Sequence, residues 1–427
     1  MSLTKNVEFL RHLPKLNGFN GLGIYGRSLP PGSRSPLVEI TRFGSNPGAL
    51  KMFAFVPEHL QQAPALVVVL HGCGQTAAGY DFGTGWSALA ERYGFALLMP
   101  EQQVSNNANT CFNWFNPEDT RRGRGEACSI RQMITRMVGD HKIDSQRIYV
   151  TGLSAGGAMT SVMLATYPDV FAAGAVIAGL PFGVATNVRE ALNGMMQSSS
   201  RPASELGDLV RKATRNLYKG SWPKVSVWHG SADRTVNPAN ANEIVKQWLD
   251  VHQLPLTPMS VGDVDGYPRE VWWGADGETV VESYTITDMA HGTPLGISGN
   301  DEPYGAEGAF MIEAGISSSY HIANFFGLTE RVSQPNEIVG KIVTKEAVTK
   351  PVAAAAPRQA AKPIPVAAAA SAAFPDSLPD PLPDLATTLW PRATPVRQAK
   401  PAHAPPRRGI DIGGVITRAL TAAGLMK

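Results

Sequence analysis

The sequence has few cysteines: Cys73, Cys111 and Cys128 are the three among its 427 residues. A small domain held together by disulfides would need more of them, and no Cys-x-x-Cys pair indicates a structural zinc site. These numbers are compatible with one disulfide and one free thiol.

Long apolar stretches are also missing. No run approaches the roughly 20 residues that a membrane-spanning helix needs. Residues 1–20 contain neither a continuous hydrophobic stretch nor a small-residue cleavage site, so they do not resemble a secretory signal. The sequence therefore predicts no integral membrane segment and, by default, a cytoplasmic location.

Net charge is small, because 38 lysines and arginines nearly offset 36 aspartates and glutamates to leave +2. This balance gives no indication of a nucleic-acid partner. There is no His-Glu-x-x-His segment and no ligand cluster with zinc spacing, so a metal site has no support. The stretch GLGIYG at 21–26 matches Gly-x-Gly-x-x-Gly, but no strand precedes it and no convincing helix follows. We expect neither a metal nor another cofactor.

What the sequence does contain is an alternation of strand-like runs and helical patterns over its first 330 residues or so. The run ALVVVL at 65–70 is typical of a strand buried on both faces of a parallel sheet. The other predicted strands lie at 36–43, 49–56, 95–99, 147–151, 172–178, 224–229 and 280–287. Helices are predicted near 84–93, at 127–141, directly after Ser154, in the stretch that ends near 218, at 239–253, and in a segment that ends near 328. This rhythm predicts an α/β fold with a mostly parallel central sheet and helices on both faces.

Composition divides the chain into four predicted parts. Residues 1–35 form an N-terminal extension and residues 36–331 the α/β domain. Residues 332–408 are rich in alanine and proline, which predicts a disordered linker. Residues 409–427 carry apolar side chains at helical spacing, which predicts a short amphipathic segment. We expect this last segment either to be weakly ordered or to dock on a partner or an apolar surface.

Ser154 lies in GLSAGG, directly after the strand-like run RIYVT and before a helical pattern. This is the strand, sharp turn and helix of a nucleophile elbow. Gly152 and Gly156 permit the turn, because neither adds a Cβ to it. The simpler alternative is an ordinary strand-to-helix turn with a small residue in it.

A serine nucleophile needs a base, and in the α/β-hydrolase order the acid and then the base follow it along the chain. His291 follows the last long strand, where the carboxyl edge of the sheet would present it beside Ser154. His321 falls in a helical pattern, His252 ends a helix, and His403 lies in the tail. His229 closes a strand and is expected to shape the turn after it. His291 is therefore the predicted base.

Asp233 is the predicted acid, because it follows the strand at 224–229 and lies between Ser154 and His291 in sequence. Asp263 and Asp265, in an expected hairpin, and Asp288, three residues before His291, remain alternatives.

An oxyanion needs two donors, which are commonly the amide after the nucleophile and one from the loop after an earlier strand. Ala155 supplies the first. The sharp turn at 71–72 follows a buried strand and is expected to aim the Cys73 amide into the site. Cys73 lacks a nucleophile elbow of its own, so we interpret its side chain as a packing group.

Four blocks of sequence in the same order carry a family likeness. They are LHGCGQTA at 70–77, the segment 113–134 that begins NWFNPEDT, the segment 147–183 around GLSAGG, and HGSADRTVNPAN at 229–240. Together they resemble the poly(3-hydroxybutyrate) depolymerase family of esterases, an α/β-hydrolase group related to feruloyl and acetylxylan esterases. The likeness covers about residues 36–328.

The resemblance implies the α/β-hydrolase fold, with Ser154, Asp233 and His291 as the catalytic residues and Cys73 and Ala155 as oxyanion donors. It implies that Trp114 and Phe115 lie near the site entrance and contact substrate, although aromatic residues in a long loop are about as often packing anchors. In secreted relatives Cys111 and Cys128 would be expected to pair. Many relatives are extracellular, which is the alternative to a cytoplasmic location.

The expected activity is that of a serine esterase acting through an acyl-enzyme, without a cofactor. The expected substrate is poly(3-hydroxybutyrate) or its oligomers. Feruloyl or acetylxylan-type carbohydrate esters are the alternative, followed by a serine peptidase or an inactive protein that binds polymer granules. Relatives that degrade extracellular polymer resemble multidomain enzymes with a substrate-binding domain, whereas this chain shows only a tail that could dock on a partner or a granule.

Overall fold

The computed structural model describes residues 34–60, 62–197, 200–214, 217–296 and 304–329. The GLGIYG stretch, His403, nearly all of the predicted N-terminal extension and both predicted C-terminal segments lie outside this part of the chain. The predicted domain boundaries therefore stay predictions.

A ten-stranded sheet forms the centre of the fold, in the order β1-β2-β4-β3-β5-β6-β7-β10-β9-β8. Its strands are β1 (Val38–Glu39), β2 (Lys51–Phe55), β3 (Leu66–Leu70), β4 (Ala96–Glu101), β5 (Ile148–Leu153), β6 (Ala173–Ile177), β7 (Lys224–Gly230), β8 (Ser260–Val264), β9 (Tyr267–Trp273) and β10 (Thr279–Ile286). The six strands from β4 through β3, β5, β6 and β7 to β10 are parallel, and the pairs at both edges are antiparallel. A separate parallel pair consists of β11 (Thr293–Leu295) and β12 (Met311–Glu313).

Helices connect the parallel strands. They are α1 (Ala77–Thr84), α2 (Trp86–Tyr93), α3 (Pro117–Thr120), α4 (Gly125–His141), α5 (Ala155–Thr166), α6 (Val188–Met196), α7 (Ala203–Ala213), α8 (Ala239–His252) and α9 (Ser318–Phe325). None of the helices in the described ranges is long and apolar enough to cross a membrane.

The core lies on both faces of the sheet, as the continuous apolar run of β3 predicts. Leu66, Val68 and Leu70 of β3 pack in one cluster with α4, α5 and α8. Val67 and Val69, between them in sequence, pack in a second cluster with α1, α2 and α9. Alternate residues of a strand point to opposite faces, so a strand covered on both sides must be apolar throughout. The predicted α/β-hydrolase architecture is confirmed.

Candidate active site

The predicted site residues follow strands that end at one edge of the sheet. Leu153 at the end of β5 pairs with Ile177 of β6, Ile177 pairs with Trp228 of β7, and Trp228 pairs with Tyr284 of β10. This row crosses four adjacent parallel strands. The loops after β5, β7 and β10 therefore leave the sheet side by side, as the carboxyl ends of parallel strands do.

Ser154 occupies the turn between β5 and α5 in a strained conformation, with φ 56° and ψ −116°. Its N–H donates to Ile177 O at 2.9 Å, which fixes the turn against β6. Residues other than glycine rarely adopt these backbone angles, and such strain persists only where the surrounding structure enforces it. The half-buried Ser154 side chain does not cap the helix that follows, so its hydroxyl is left for other partners.

Two glycines allow the backbone to pack closely around this turn. A Cβ at Gly156 would lie 2.2 Å from Leu70 O and 2.6 Å from His71 O, and one at Gly152 would lie 2.7 Å from Leu70 O. Any larger residue would push the end of β3 away from the turn. These glycines therefore bring the loop after β3 against the first residues of α5.

Asp233 and His291 form a close pair. His291 Nδ1 lies 2.7 Å from Asp233 Oδ2, and both side chains are buried. The amides of Thr235 and Val236 donate to Asp233 Oδ1 at 2.8 and 2.9 Å. Burial raises the pKa of Asp233, but hydrogen bonds and charge from His229 and His291 outweigh it and hold the pKa well below the usual range. The carboxylate is therefore charged at neutral pH and orients the His291 ring.

The loop that carries His291 packs directly on the loop that carries Asp233. Ala232 N donates to Met289 O at 3.0 Å, and Ser231 N donates to Ile286 O at 2.9 Å. The Phe310 ring meets the His291 ring edge-on, with centroids 5.9 Å apart. No hydrogen bond joins Ser154 to His291 within the described ranges. The structure thus brings the predicted acid and base into contact and places the serine at the same sheet edge.

Two of the other candidate bases, His321 and His252, have partners other than Asp233. His321 Nε2 lies 2.8 Å from Asp265 Oδ2, and His252 Nε2 lies 2.9 Å from Pro223 O. His229 Nε2 lies 3.1 Å from Asp233 Oδ2, so it contacts the acid as well as shaping the turn.

The alternative acids are not bonded to His291 in the part of the chain that the structure describes. Asp263 lies in β8 and Asp265 in the turn to β9 of the predicted hairpin, where Asp263 Oδ1 accepts from Gly266 N at 2.9 Å. Asp288 is exposed, and its backbone N–H donates to Ser231 Oγ at 2.8 Å. Neither hydrogen bonds nor ion pairs link these three carboxylates to His291 within the described ranges.

The loop after β3 is held by a buried polar network. His71 Nδ1 lies 2.8 Å from Gly72 O, and Gln102 N donates to His71 Nε2 at 3.1 Å. Gln75 Oε1 accepts from Gly72 N at 2.8 Å. Burial lowers the pKa of His71 to about 4, so the ring is neutral at neutral pH, with its proton on Nδ1. The loop is therefore anchored on both sides of Gly72.

The Cys73 and Ala155 amides donate to no protein acceptor among the described residues. Ala155 is the first residue of α5, where helical N–H groups have no partner within the helix. Cys73 follows the turn that packs on Gly152 and Gly156. Two unpaired donors beside a strained serine have the composition of an oxyanion-binding site.

The cysteine pairing implied by the resemblance is wrong. Cys73 bonds to Cys111, with Cα atoms 4.3 Å apart, and Cys128 is free. The loops meet because Gly74 N donates to Asn109 O at 2.8 Å and to Thr110 Oγ1 at 3.1 Å. Cys128 lies on α4, where its sulfur contacts Gln132 instead. The Cys73 side chain is therefore part of a covalent link and not only a packing group.

This disulfide should stabilise the fold. It closes a loop of 38 residues, and we expect Cys111→Ser to lower the free energy of unfolding by about 4 kcal/mol, from lost loop closure in the unfolded chain. Urea denaturation monitored by tryptophan fluorescence measures this. Cys128→Ser is the matched control and should change the free energy by less than about 0.5 kcal/mol. Equal stability of the two variants would contradict the expectation.

Trp114 and Phe115 contact each other edge-on, 5.5 Å between centroids, and both pack against the core. Trp114 is 8% exposed, which favours a packing role, whereas Phe115 is half-buried. Their contact with substrate stays a prediction.

The buried Glu126 beneath this loop was not predicted from the sequence. It accepts hydrogen bonds from Asn113 N, Asn113 Nδ2 and Gln102 Nε2 at 2.8, 2.7 and 2.5 Å. Burial raises the pKa of Glu126 to about 8, with a further contribution from the charge of Asp119. Because Gln102 N also contacts His71, this network joins the aromatic loop to the loop after β3. No signal in the sequence distinguishes Glu126 from a surface carboxylate.

No group of three or more potential metal ligands occurs among the described residues. The groups present are a serine at a strained turn, an imidazole paired with a carboxylate, and free amide donors. Such an arrangement can perform acyl transfer, in which the serine attacks a carbonyl and the amides bind the oxyanion.

Comparison with known proteins agrees with this chemistry. The family described as Esterase PHB depolymerase matches residues 52–255. Poly(3-hydroxyalkanoate) depolymerase C of Paucimonas lemoignei is 47% identical over 292 residues, which cover 68% of this chain and 70% of that protein. Acetylxylan esterase A of Emericella nidulans is 36% identical over 245 residues, 55% of this chain and 80% of that protein.

Among solved structures, the acetyl xylan esterase from Aspergillus awamori aligns with a TM-score of 0.58 at 25% identity. The alignment covers 69% of this chain and 99% of that one. The predicted family and the predicted enzyme class are both confirmed. The chain belongs to the esterase PHB depolymerase family and is a serine esterase, a carboxylic ester hydrolase.

Proposed function

We propose that the protein hydrolyses poly(3-hydroxybutyrate) or its oligomers, with Ser154, His291 and Asp233 as its catalytic residues. The observation that carries the substrate is the 47% identity to a poly(3-hydroxyalkanoate) depolymerase over 292 residues. The pairing of His291 with Asp233 at the sheet edge that also bears Ser154 supports the residue roles.

In the proposed mechanism His291 acts through Nε2, because its Nδ1 contacts Asp233. Nε2 removes the Ser154 hydroxyl proton as the oxygen attacks the ester carbonyl. The tetrahedral oxyanion accepts hydrogen bonds from the Cys73 and Ala155 amides. Asp233 stabilises the imidazolium by its charge without taking the proton.

Collapse of this intermediate breaks the bond to the leaving alcohol, which takes the proton from His291. The acyl group then remains on Ser154. Water attacks the acyl-enzyme by the same steps, with His291 again as base, and the acid leaves as Ser154 recovers its proton. No step requires a metal or another cofactor.

The substrate proposal is tested with a panel of esters. We expect kcat/KM for a 3-hydroxybutyrate trimer to exceed that for methyl ferulate or an acetylated xylooligosaccharide by at least about tenfold, a difference of about 1.4 kcal/mol in transition-state binding. The similarity to acetylxylan esterase A makes the carbohydrate ester the second candidate. A preference for the acetylated sugar would assign the chain to that candidate, and cleavage of a peptide bond at a comparable rate would favour a peptidase.

The role of the tail is a separate proposal that rests on sequence alone. Residues 409–427 would dock the enzyme on a polymer granule or a partner, with 332–408 as the linker. Removing residues 348–427 should then lower hydrolysis of amorphous polymer and spare the soluble trimer. Equal loss on both substrates would contradict docking and indicate support of the fold.

The predicted cytoplasmic location stays a prediction. Because disulfides persist in oxidising compartments, the Cys73–Cys111 bond favours the extracellular alternative.

A further inference from the structure

His229 is a buried histidine that the mechanism does not use. It lies in β7, four residues before Asp233, and is 3% exposed. Its Nε2 is 3.1 Å from Asp233 Oδ2 and 3.0 Å from Val236 O. Its Nδ1 is buried and has no hydrogen-bond partner among the described residues. Both imidazoles, His229 and His291, therefore meet the same carboxylate oxygen.

The contacts fix which nitrogen of His229 carries the proton. Both neighbours of Nε2 are oxygen acceptors, so Nε2 must be the donor. A proton on Nδ1 would find no acceptor and would be buried without compensation. His229 therefore carries a hydrogen on Nε2 and donates it to these oxygens.

We propose that His229 is a positioning residue, which holds the Asp233 carboxylate so that one oxygen faces His291. This inference rests on the proposed role of Asp233 as the catalytic acid. Thr235 N and Val236 N hold Oδ1, and His229 holds Oδ2, the oxygen that also contacts His291. Rotation of the carboxylate about its Cβ–Cγ bond would therefore break at least one of these hydrogen bonds.

The shared oxygen has an electrostatic consequence. A hydrogen bond from His229 withdraws part of the negative charge that Oδ2 would otherwise present to His291. Without that bond, the carboxylate stabilises a protonated His291 more strongly. When that bond is removed, we therefore expect the acidic limb of the kcat/KM profile to move upward in pH.

The loop after β7 and the loop after β10 carry three charged residues, Asp233, Arg234 and Asp288. Asp233 lies between the two rings, and Arg234 and Asp288 are exposed on the neighbouring loops. In the described ranges neither Arg234 nor Asp288 forms a hydrogen bond or an ion pair with either imidazole. Phe310, the ring packed on His291, is uncharged. A shift of the acidic limb in a variant therefore indicates a change in the interactions among Asp233, His229 and His291.

The test compares His229→Leu with His229→Gln. Leucine fills similar volume without a donor, whereas the glutamine amide nitrogen reaches about as far as Nε2. On a soluble p-nitrophenyl ester we expect His229→Leu to lower kcat about ten- to a hundredfold, with KM nearly unchanged and the acidic limb at higher pH. His229→Gln should restore most of kcat and return the limb toward its original position. His252→Leu is the matched control, since it removes a histidine that contacts the Pro223 carbonyl, and it should leave the limb in place.

Wild-type kcat and an unmoved limb in His229→Leu would overturn the proposal. So would equal losses in both variants with the limb in place, which indicate a structural role. If His229→Leu does not fold, nitrogen-15 NMR of the wild-type imidazoles decides: a His229 proton on Nδ1 would refute the assignment. Ser154→Ala distinguishes failure of the proposed function from failure of this inference. An active Ser154→Ala enzyme would overturn the proposed function itself. An inactive Ser154→Ala enzyme, together with an unaffected His229→Leu enzyme, would overturn only the role of His229.

Discussion

Ser154→Ala should lower kcat for p-nitrophenyl butyrate about a million-fold, to the low rate that the rest of the site gives without a nucleophile. The variant keeps the turn, because alanine adds no atoms to it and Gly152 and Gly156 still admit the end of β3. KM should change little, since substrate binding does not depend on the hydroxyl. Stopped-flow and steady-state assays with the purified variant measure this loss.

The control for this substitution is a serine on the same element. Ser161 is buried in α5, and its hydroxyl contacts Gly157 O at 3.5 Å within the helix. Ser161→Ala should keep kcat within about twofold. A Ser154→Ala enzyme with more than about 1% of wild-type kcat, and with no trace of wild-type contamination, would remove Ser154 from the mechanism.

Asp233→Asn should lower kcat about ten-thousand-fold while the protein remains folded. The amide oxygen of asparagine can still accept from Thr235 N and Val236 N, which keeps the loop in place. Its NH₂ group then faces His229 and His291, where the carboxylate had accepted from both. Because an amide nitrogen donates, His291 must accept on Nδ1 and carry its proton on Nε2. That tautomer cannot take the proton of Ser154.

Circular dichroism and urea denaturation establish that Asp233→Asn is folded, and steady-state kinetics establish the loss. Asp288→Asn, on the loop that carries His291, and Asp263→Asn, in β8, are matched controls, and both should keep kcat within about twofold. Near-normal turnover by Asp233→Asn, together with a severe loss in either control, would move the acid to that residue.

The sheet and its helices were predictable because their apolar patterns are strong. A strand such as β3, covered on both faces, must be apolar at every position, and the sequence shows that directly. The edge strands β8 and β9 were expected only as a hairpin, since their exposed positions carry mixed polarity. Polar and apolar residues at a sheet edge leave too little periodicity to mark each strand.

The placement of the candidate site residues at one sheet edge was predictable, because chain order constrains it. Ser154, Asp233 and His291 each follow a strong strand, and parallel strands bring their following loops to one edge. The disulfide partner of Cys111 was not predictable, because it depends on how the loop at 109–111 folds back onto residues 73–75. No pattern in either segment predicts that contact.

Residues that act through burial were the hardest to find. His229 and Glu126 differ from surface residues only in what surrounds them, and a sequence does not state the surroundings of a side chain. The contact of His229 with Asp233 depends on the tight turn after β7, in which Asp233 N donates to Gly230 O at 3.2 Å. The short spacing in His-Gly-x-x-Asp at 229–233 is the one signal that could have indicated it.

The most direct test of the proposed mechanism is to trap the nucleophile with a fluorophosphonate and locate the adduct by peptide mass spectrometry. We predict one adduct per chain, on Ser154, formed rapidly in the wild type and slowly in Asp233→Asn. Activity should fall in proportion to labelling. Stoichiometric labelling of any other residue, or full loss of activity with Ser154 unmodified, would contradict the account.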